Sequence, residues 1–259
     1  MRRRVTCLLL LAIACGVGPG AVQSRPGLAE RSKPKPLRLR EHCVRKSDHA
    51  RVVRFRATDR ARLIGVMVGK GLVGIAVGHE HRADLCNWLP FARVLARRGF
   101  RVLAFDSRNA GSSAPVNTSH ADWLDLDFAG AAAALRKAGA RKIVLGGASL
   151  GAAAALTAAS RGEGAPAAVF SLSAPAVWTA RLDGQSAVQL LKVPVLFIAA
   201  ELDVDFAGDA RLLYDHARVT DKQLLIVPGG RHGTDMLRGA AGATAREALL
   251  TFVGRFAQP

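Results

Sequence analysis

The sequence predicts an α/β fold, a mostly parallel sheet with helices on both faces. Three observations carry that expectation. Short apolar runs such as "VGIAVG", "KIVLGG" and "VPVLFIAA" recur and read as buried strands. Stretches with helical spacing of apolar residues lie between them, and the alternation continues to the C-terminus without an internal repeat. A chain of 259 residues, 50% of them hydrophobic, buries one substantial core.

Taken in order, the chain opens on a targeting pattern. Met1-Arg2-Arg3-Arg4 and then "VTCLLLLAIA" form a basic n-region and an apolar h-region, a secretory signal over residues 1–14 that is too short to span a membrane. Two routes of maturation fit it. Leu11-Ala12-Ile13-Ala14-Cys15 resembles a bacterial lipobox, which would make Cys15 the lipidated N-terminus of a membrane-anchored lipoprotein. Ordinary cleavage a few residues later would give a free secreted protein. Both routes export the chain. Residues 15–50, rich in Pro, Gly and charge, read as a basic tether. Between Arg25 and Arg62 there are thirteen basic residues and four acidic ones, so over half of the net charge of +17 lies in this stretch, the tether and the start of the main fold. Such a block implies attraction to an anionic membrane or cell-wall surface, with a merely solvated tail as the alternative. Zinc-finger spacing, RNP-like motifs and interleaved aromatics are lacking, so nucleic acid is not an expected partner.

The globular domain is expected over 51–259. "RVVRFRA" and "ARLIGVMVG" flank "TDR" as a β-hairpin, and "VGIAVG" follows as a buried strand. "WLPFARVLARRG" sets Trp88, Phe91, Val94 and Leu95 on one helical face, with Gly99 as the stop. "FRVLAF" is a strand ending at Asp106. "SHADWLDLDFAGAAAALRKAG" is a helix with Ser119 as its expected cap and Gly139 beyond its end. The strands "KIVLGGAS", "AAVFSLS" and "PVLFIAA" come next, then helical segments near 184–192 and 205–217, the strand "KQLLIVPG", and a last helix from about Ala240. Only roughly twenty residues separate "AAVFSLS" from "VPVLFIAA", which leaves no room for a large lid domain.

The chemistry gathers at strand ends. In Gly147-Ala148-Ser149-Leu150-Gly151 a serine stands between glycines where a strand turns into a helix. That turn strains the serine backbone and lifts its hydroxyl out of the sheet, while the glycines keep side chains out of the crowded turn. A hydroxyl becomes a nucleophile only when a base takes its proton, and the base needs a carboxylate to orient it. Glu201-Leu202-Asp203-Val204-Asp205 follows one later strand and Arg231-His232-Gly233 follows the last, giving the order Ser, Asp, His on one side of the sheet. Individually, Asp203 also reads as a helix cap and His232 as an ordinary loop histidine.

From Val52 onward the chain resembles the α/β-hydrolase superfamily, in which "GGASLG", "VPVLFIAAELDVDF" and "VPGGRHG" are similar to the nucleophile elbow, acid loop and histidine loop. "HCVRKSDHARVVRFRATD" with "DLCNWLP" further resembles exported bacterial hydrolases of unsettled substrate. The resemblance implies Ser149 as nucleophile, His232 as general base and then acid, and Asp203 as orienting carboxylate, with Asp205 in reserve. It also implies an oxyanion hole from the backbone N–H of Leu150 and of His81, although Glu80 stands where relatives carry glycine. A negative Glu80 would oppose a developing oxyanion, so its carboxylate is expected to turn away or to pair with an arginine such as Arg82. Asn109 replaces another common glycine, and asparagine tolerates the left-handed turn required there.

The expected activity is cleavage of a carboxylic ester, or of a related amide, thioester or lactone, through an acyl-enzyme, without a cofactor. Small or moderate acyl substrates suit an uncapped site, with Trp178 either lining its wall or packing. Two other classes stay open. One is a non-catalytic, surface-anchored binding protein on the same fold. The other is a metal-dependent hydrolase using His79 and His81, whose following Asp84 lies one position late for the metal motif it resembles. With Cys7 and Cys15 in the signal, Cys43 and Cys86 remain as the pair expected to bridge in an oxidising compartment.

Overall fold

A computed structural model of the protein describes residues 35–40 and 42–257. The signal segment and Cys15 lie outside the described residues. Eight strands form one sheet: β1 (Arg51–Arg56), β2 (Arg62–Val68), β3 (Val73–Gly78), β4 (Arg101–Asp106), β5 (Lys142–Ala148), β6 (Ala168–Leu172), β7 (Val195–Ala200) and β8 (Lys222–Val227). Their spatial order is β1-β2-β4-β3-β5-β6-β7-β8. Only β2 runs against the rest; it pairs antiparallel with β1 and β4, and every other pairing is parallel. The burial pattern follows position. Edge strand β1 alternates between partly buried and exposed, as one covered face requires, whereas β3, β6 and β7 are buried at every residue.

The helices are α1 (Leu89–Arg97), α2 (Leu124–Lys137), α3 (Leu150–Ser160), α4 (Gly184–Gln189), α5 (Val204–His216) and α6 (Ala243–Gly254). They cover both faces. Phe91 and Leu95 of α1 share one apolar cluster with Leu249, Phe252 and Val253 of α6. Phe128 and Leu135 of α2, Leu156 of α3, Val188 of α4 and Leu213 of α5 share the other. Trp88, fully buried just ahead of α1, donates its indole N–H to the Gly78 carbonyl at 2.8 Å. The alanine-rich α3 presses close to the sheet. A Cβ on Gly147 would collide with the Gly151 carbonyl, and one on Gly151 with the carbonyl of Gly78.

Two expectations are corrected. Ser119 caps no helix; it sits in a separate 3-10 turn over Thr118–His120, and α2 starts later, with Trp123 at its N-cap. The latter part of the segment read as a tether belongs to the fold. Leu39, Cys43 and Val44 pack against the core, and Pro36 onward forms one compact unit with the sheet. A disulfide joins Cys43 to Cys86 with their Cα atoms 5.7 Å apart, and Arg93 of α1 holds Asp48 through two 2.7 Å hydrogen bonds.

Candidate active site

Four neighbouring parallel strands end on one edge of the sheet, and each delivers one side chain: Ser149 after β5, Ser173 after β6, Asp203 after β7 and His232 after β8. Ser149 lies at φ 51° and ψ −118°, held there by its N–H bond to the Leu172 carbonyl at 2.8 Å and by the start of α3 behind it. The backbone strain expected of the Gly-x-Ser-x-Gly turn is therefore present.

His232 Nδ1 donates to Asp203 Oδ2 at 2.8 Å, which leaves Nε2 as the ring nitrogen not committed to the carboxylate. The ring packs edge-on against Phe206, centroids 4.3 Å apart. Asp203 occupies the N-cap position of α5, yet its side chain caps nothing. Its Oδ2 instead accepts both the imidazole and the Ser173 hydroxyl, at 3.0 Å. Asp205 is exposed in the first turn of α5. The structure thus joins His232 to Asp203; no hydrogen bond among the described residues joins either to Ser149. In unliganded sites such bonds are often long and tighten on binding.

Ser173 is a residue that sequence reasoning missed. It too has positive φ, 47°, and its Oγ accepts the Gly233 N–H at 3.2 Å while donating to Asp203. One hydroxyl therefore ties the acid loop to the histidine loop.

Glu80 does not pair with Arg82. Its Oε1 accepts the Thr234 N–H at 2.7 Å and the Thr234 hydroxyl at 2.6 Å, and its Oε2 accepts the Asn87 amide at 3.2 Å. The carboxylate braces the loop after β3 against the histidine loop, and Gly233, at φ 55°, leaves room for it. His79 is buried and its tautomer is fixed. The Ser107 N–H donates to Nε2 at 3.1 Å, so Nδ1 carries the proton and donates to the Glu80 carbonyl at 2.7 Å. With that lone pair engaged, His79 is poorly placed to bind a metal, and His81 is exposed, 5.2 Å from the Trp178 ring. No cluster of three metal-binding side chains occurs among the described residues.

Leu150 and His81 both line a cleft of about 580 Å³, whose outer wall includes Trp178 and Thr179. Leu150 opens α3, so its N–H has no partner within the helix. Trp178 is 42% exposed and the connection from β6 to β7 holds only the short α4, so nothing domain-sized covers the cleft. The left-handed turn expected at Asn109 is present, at φ 63°, with its side-chain oxygen accepting the Val116 N–H at 2.8 Å.

Comparison with known proteins agrees with this architecture. Residues 71–189 match a family model described as alpha/beta hydrolase fold. No curated protein sequence matches the chain. Among solved structures, an esterase from Pyrococcus furiosus superposes with a TM-score of 0.69 at 16% identity, covering 81% of this chain and 91% of that one. The esterase domain of a Rhodothermus marinus protein gives 0.62 at 19% identity, covering 80% and 98%. A dienelactone hydrolase from Anabaena variabilis gives 0.61 at 22%, covering 79% and 97%. At such identities the likeness establishes the fold, and the chemistry rests on the site itself.

Proposed function

We propose that this chain, an α/β-hydrolase by fold, is a serine hydrolase that cleaves carboxylic esters of small or moderate size through an acyl-enzyme. The observation that carries the reading is the 2.8 Å bond from His232 to Asp203, set after β7 and β8 at the same ends of the sheet as the strained Ser149, with β6 between. In the first half-reaction His232 Nε2 takes the Ser149 proton as Oγ bonds to the ester carbonyl carbon. The carbonyl oxygen becomes an oxyanion facing the N–H groups of Leu150 and His81. Collapse breaks the bond to the leaving oxygen, which takes the proton from His232 and departs as an alcohol. Water then attacks the acyl carbon with His232 again as base, releasing the carboxylic acid and restoring Ser149. Asp203 holds the ring and stabilises its cationic form. The Glu80 carboxylate is turned to Thr234 and Asn87, whose three hydrogen bonds lessen its opposition to the oxyanion.

A fluorophosphonate probe is expected to label Ser149 covalently, and Ser149→Ala to abolish both labelling and ester turnover. Turnover that survives in Ser149→Ala would reject this mechanism, and a wild-type chain that neither labels nor turns over esters would favour a binding protein on the same fold.

The compartment is part of the same proposal. Export by the N-terminal signal, with Cys15 lipidated and the basic segment drawn to an anionic surface, supplies the oxidising surroundings in which a Cys43–Cys86 bond persists. Mass spectrometry of the mature N-terminus separates the lipoprotein from a free secreted form.

A further inference from the structure

A cavity of about 830 Å³, larger than the cleft beside Leu150, lies at the opposite edge of the sheet. Its wall is assembled from residues 45–49 ahead of β1, the start of β1, the end of β2, the loop into β3, the last turn of α1, the start of β4 and the end of α2. Six of its side chains are cations: Arg45, Arg51, Lys70, Arg93, Arg97 and Arg101. Asp48, the single acid of the wall among the described residues, is already held by Arg93 at 2.7 Å. Six cations and one carboxylate leave an excess of five positive charges. Among the described residues no acidic side chain forms an ion pair with Arg51, Lys70 or Arg97.

The chain's own dipoles do not account for this excess. The C-termini of α1 and α2 reach this edge, and Arg101 donates to the carbonyls of Ala138 and Lys70. Two helix ends offset only about one unit of charge between them. The remainder is like charge gathered in a concave site, an arrangement that focuses its field and concentrates anions there. Burial and then the charge of Arg51 lower the Arg101 pKa, which marks the guanidinium as under-compensated.

We propose that this groove is a binding site for clustered phosphate oxyanions, supplied by a free oligophosphate or by the phosphorylated headgroup of an anionic lipid. Five of the six cations are arginines, whose forked N–H groups match phosphate oxygens in pairs. Among the described residues the wall holds no Phe, Tyr or Trp on which a base could stack, and His49 is its one aromatic ring, which disfavours a nucleic-acid strand. The site is independent of the ester chemistry at Ser149.

The test is calorimetric titration of the full chain with tripolyphosphate at near-physiological salt, comparing wild type with Arg51→Ala/Lys70→Ala/Arg97→Ala. One saturable site per chain is expected, weakened about tenfold or more in the triple variant, since each exchange removes a charge-assisted contact. In a second arm, phosphatidylglycerol-containing vesicles and pure phosphatidylcholine vesicles are sedimented with both proteins. Tripolyphosphate binding without vesicle binding assigns a free ligand. Groove-dependent binding to the anionic vesicles alone assigns a headgroup. Equal binding by wild type and triple variant would place the contact on the basic N-terminal segment and overturn the proposal, as would no binding in either arm. The three residues are not fully buried and lie far from Ser149, so an unchanged melting curve and ester turnover verify the fold. Should the triple variant melt early, Lys70→Ala and Arg97→Ala apply the same test singly.

Discussion

Ser149 and Ser173 end adjacent strands, and both hold a positive φ that L residues adopt only at a cost of about 1–3 kcal/mol. Their legibility differs for a physical reason. Ser149 lies within a glycine-spaced turn whose sterics leave a mark in the sequence, whereas Ser173 follows an apolar strand as countless structural serines do. Its role comes from two partners 30 and 60 residues away, Asp203 and Gly233. Glu80 was equally opaque in direction, because the Thr234 that holds it is 154 residues distant. These contacts set an order of expected effects. Asp203→Asn removes the carboxylate that orients His232, so turnover should fall by about a thousandfold or more with the fold intact. Asp205→Asn, at an exposed position, should stay near wild type; the reverse result in steady-state kinetics would move the acid by two residues. Ser173→Ala withdraws one hydrogen bond from Asp203 and strands the Gly233 N–H. A loss of about tenfold in kcat, with KM little changed, is expected from a charge-assisted bond of roughly 1.5 kcal/mol. A shift confined to KM would mean that Ser173 shapes the substrate cleft instead.

Strands were the most legible elements, because a sheet covered on both faces demands continuous apolar runs, and β5 to β7 carry them. Helix starts were less so. Ser119 offers the chemistry of a cap, but the His120 carbonyl is turned to accept from Arg108 at 3.0 Å and its ring stacks on Trp123 at 3.9 Å. Arg108 itself is fully buried between Asp127 and Asp59, and satisfying that buried guanidinium outweighs one cap. In sequence the entry to β1 reads as tether because its charge looks solvated, yet Asp48 and Arg93 clip it to α1. Arg93's hydrogen bonds, opposed by burial and aided by the Arg45 N–H, lower the Asp48 carboxyl to about 2 from its usual 3.8. A depressed carboxylate contributes stability above the unfolded value, and the contribution is lost as pH falls through the folded one. Thermal melts of wild type and Asp48→Asn should therefore differ at pH 7, converge below about pH 4 and coincide only below about pH 2. A difference that persists undiminished at pH 2 would assign the clip's effect to packing rather than charge.

At the scale of the molecule, the sheet separates two charged regions. The side chains of the proposed triad sit at the carboxyl ends of β5, β7 and β8 and the basic groove at the far edge. One covalent link connects the N-terminal entry to the site's own framework. Cys86 lies in the 3-10 turn Leu85–Asn87, whose Asn87 donates to Glu80 and whose Leu85 N–H donates to the buried Asp106 at 2.9 Å. The same loop carries His81, the second oxyanion donor in the proposed mechanism. Closing a loop of 43 residues is worth about 4 kcal/mol on chain-entropy grounds, an upper value. Stabilisation of the unfolded kind would act on melting alone, because it leaves the folded site unchanged. Here the bond also anchors a loop that holds Glu80 against Thr234, so Cys86→Ser should lower the melting temperature and kcat together. Reductant added to the wild type should reproduce both effects, and wild-type kcat in Cys86→Ser at a temperature where it remains folded would confine the disulfide to stability.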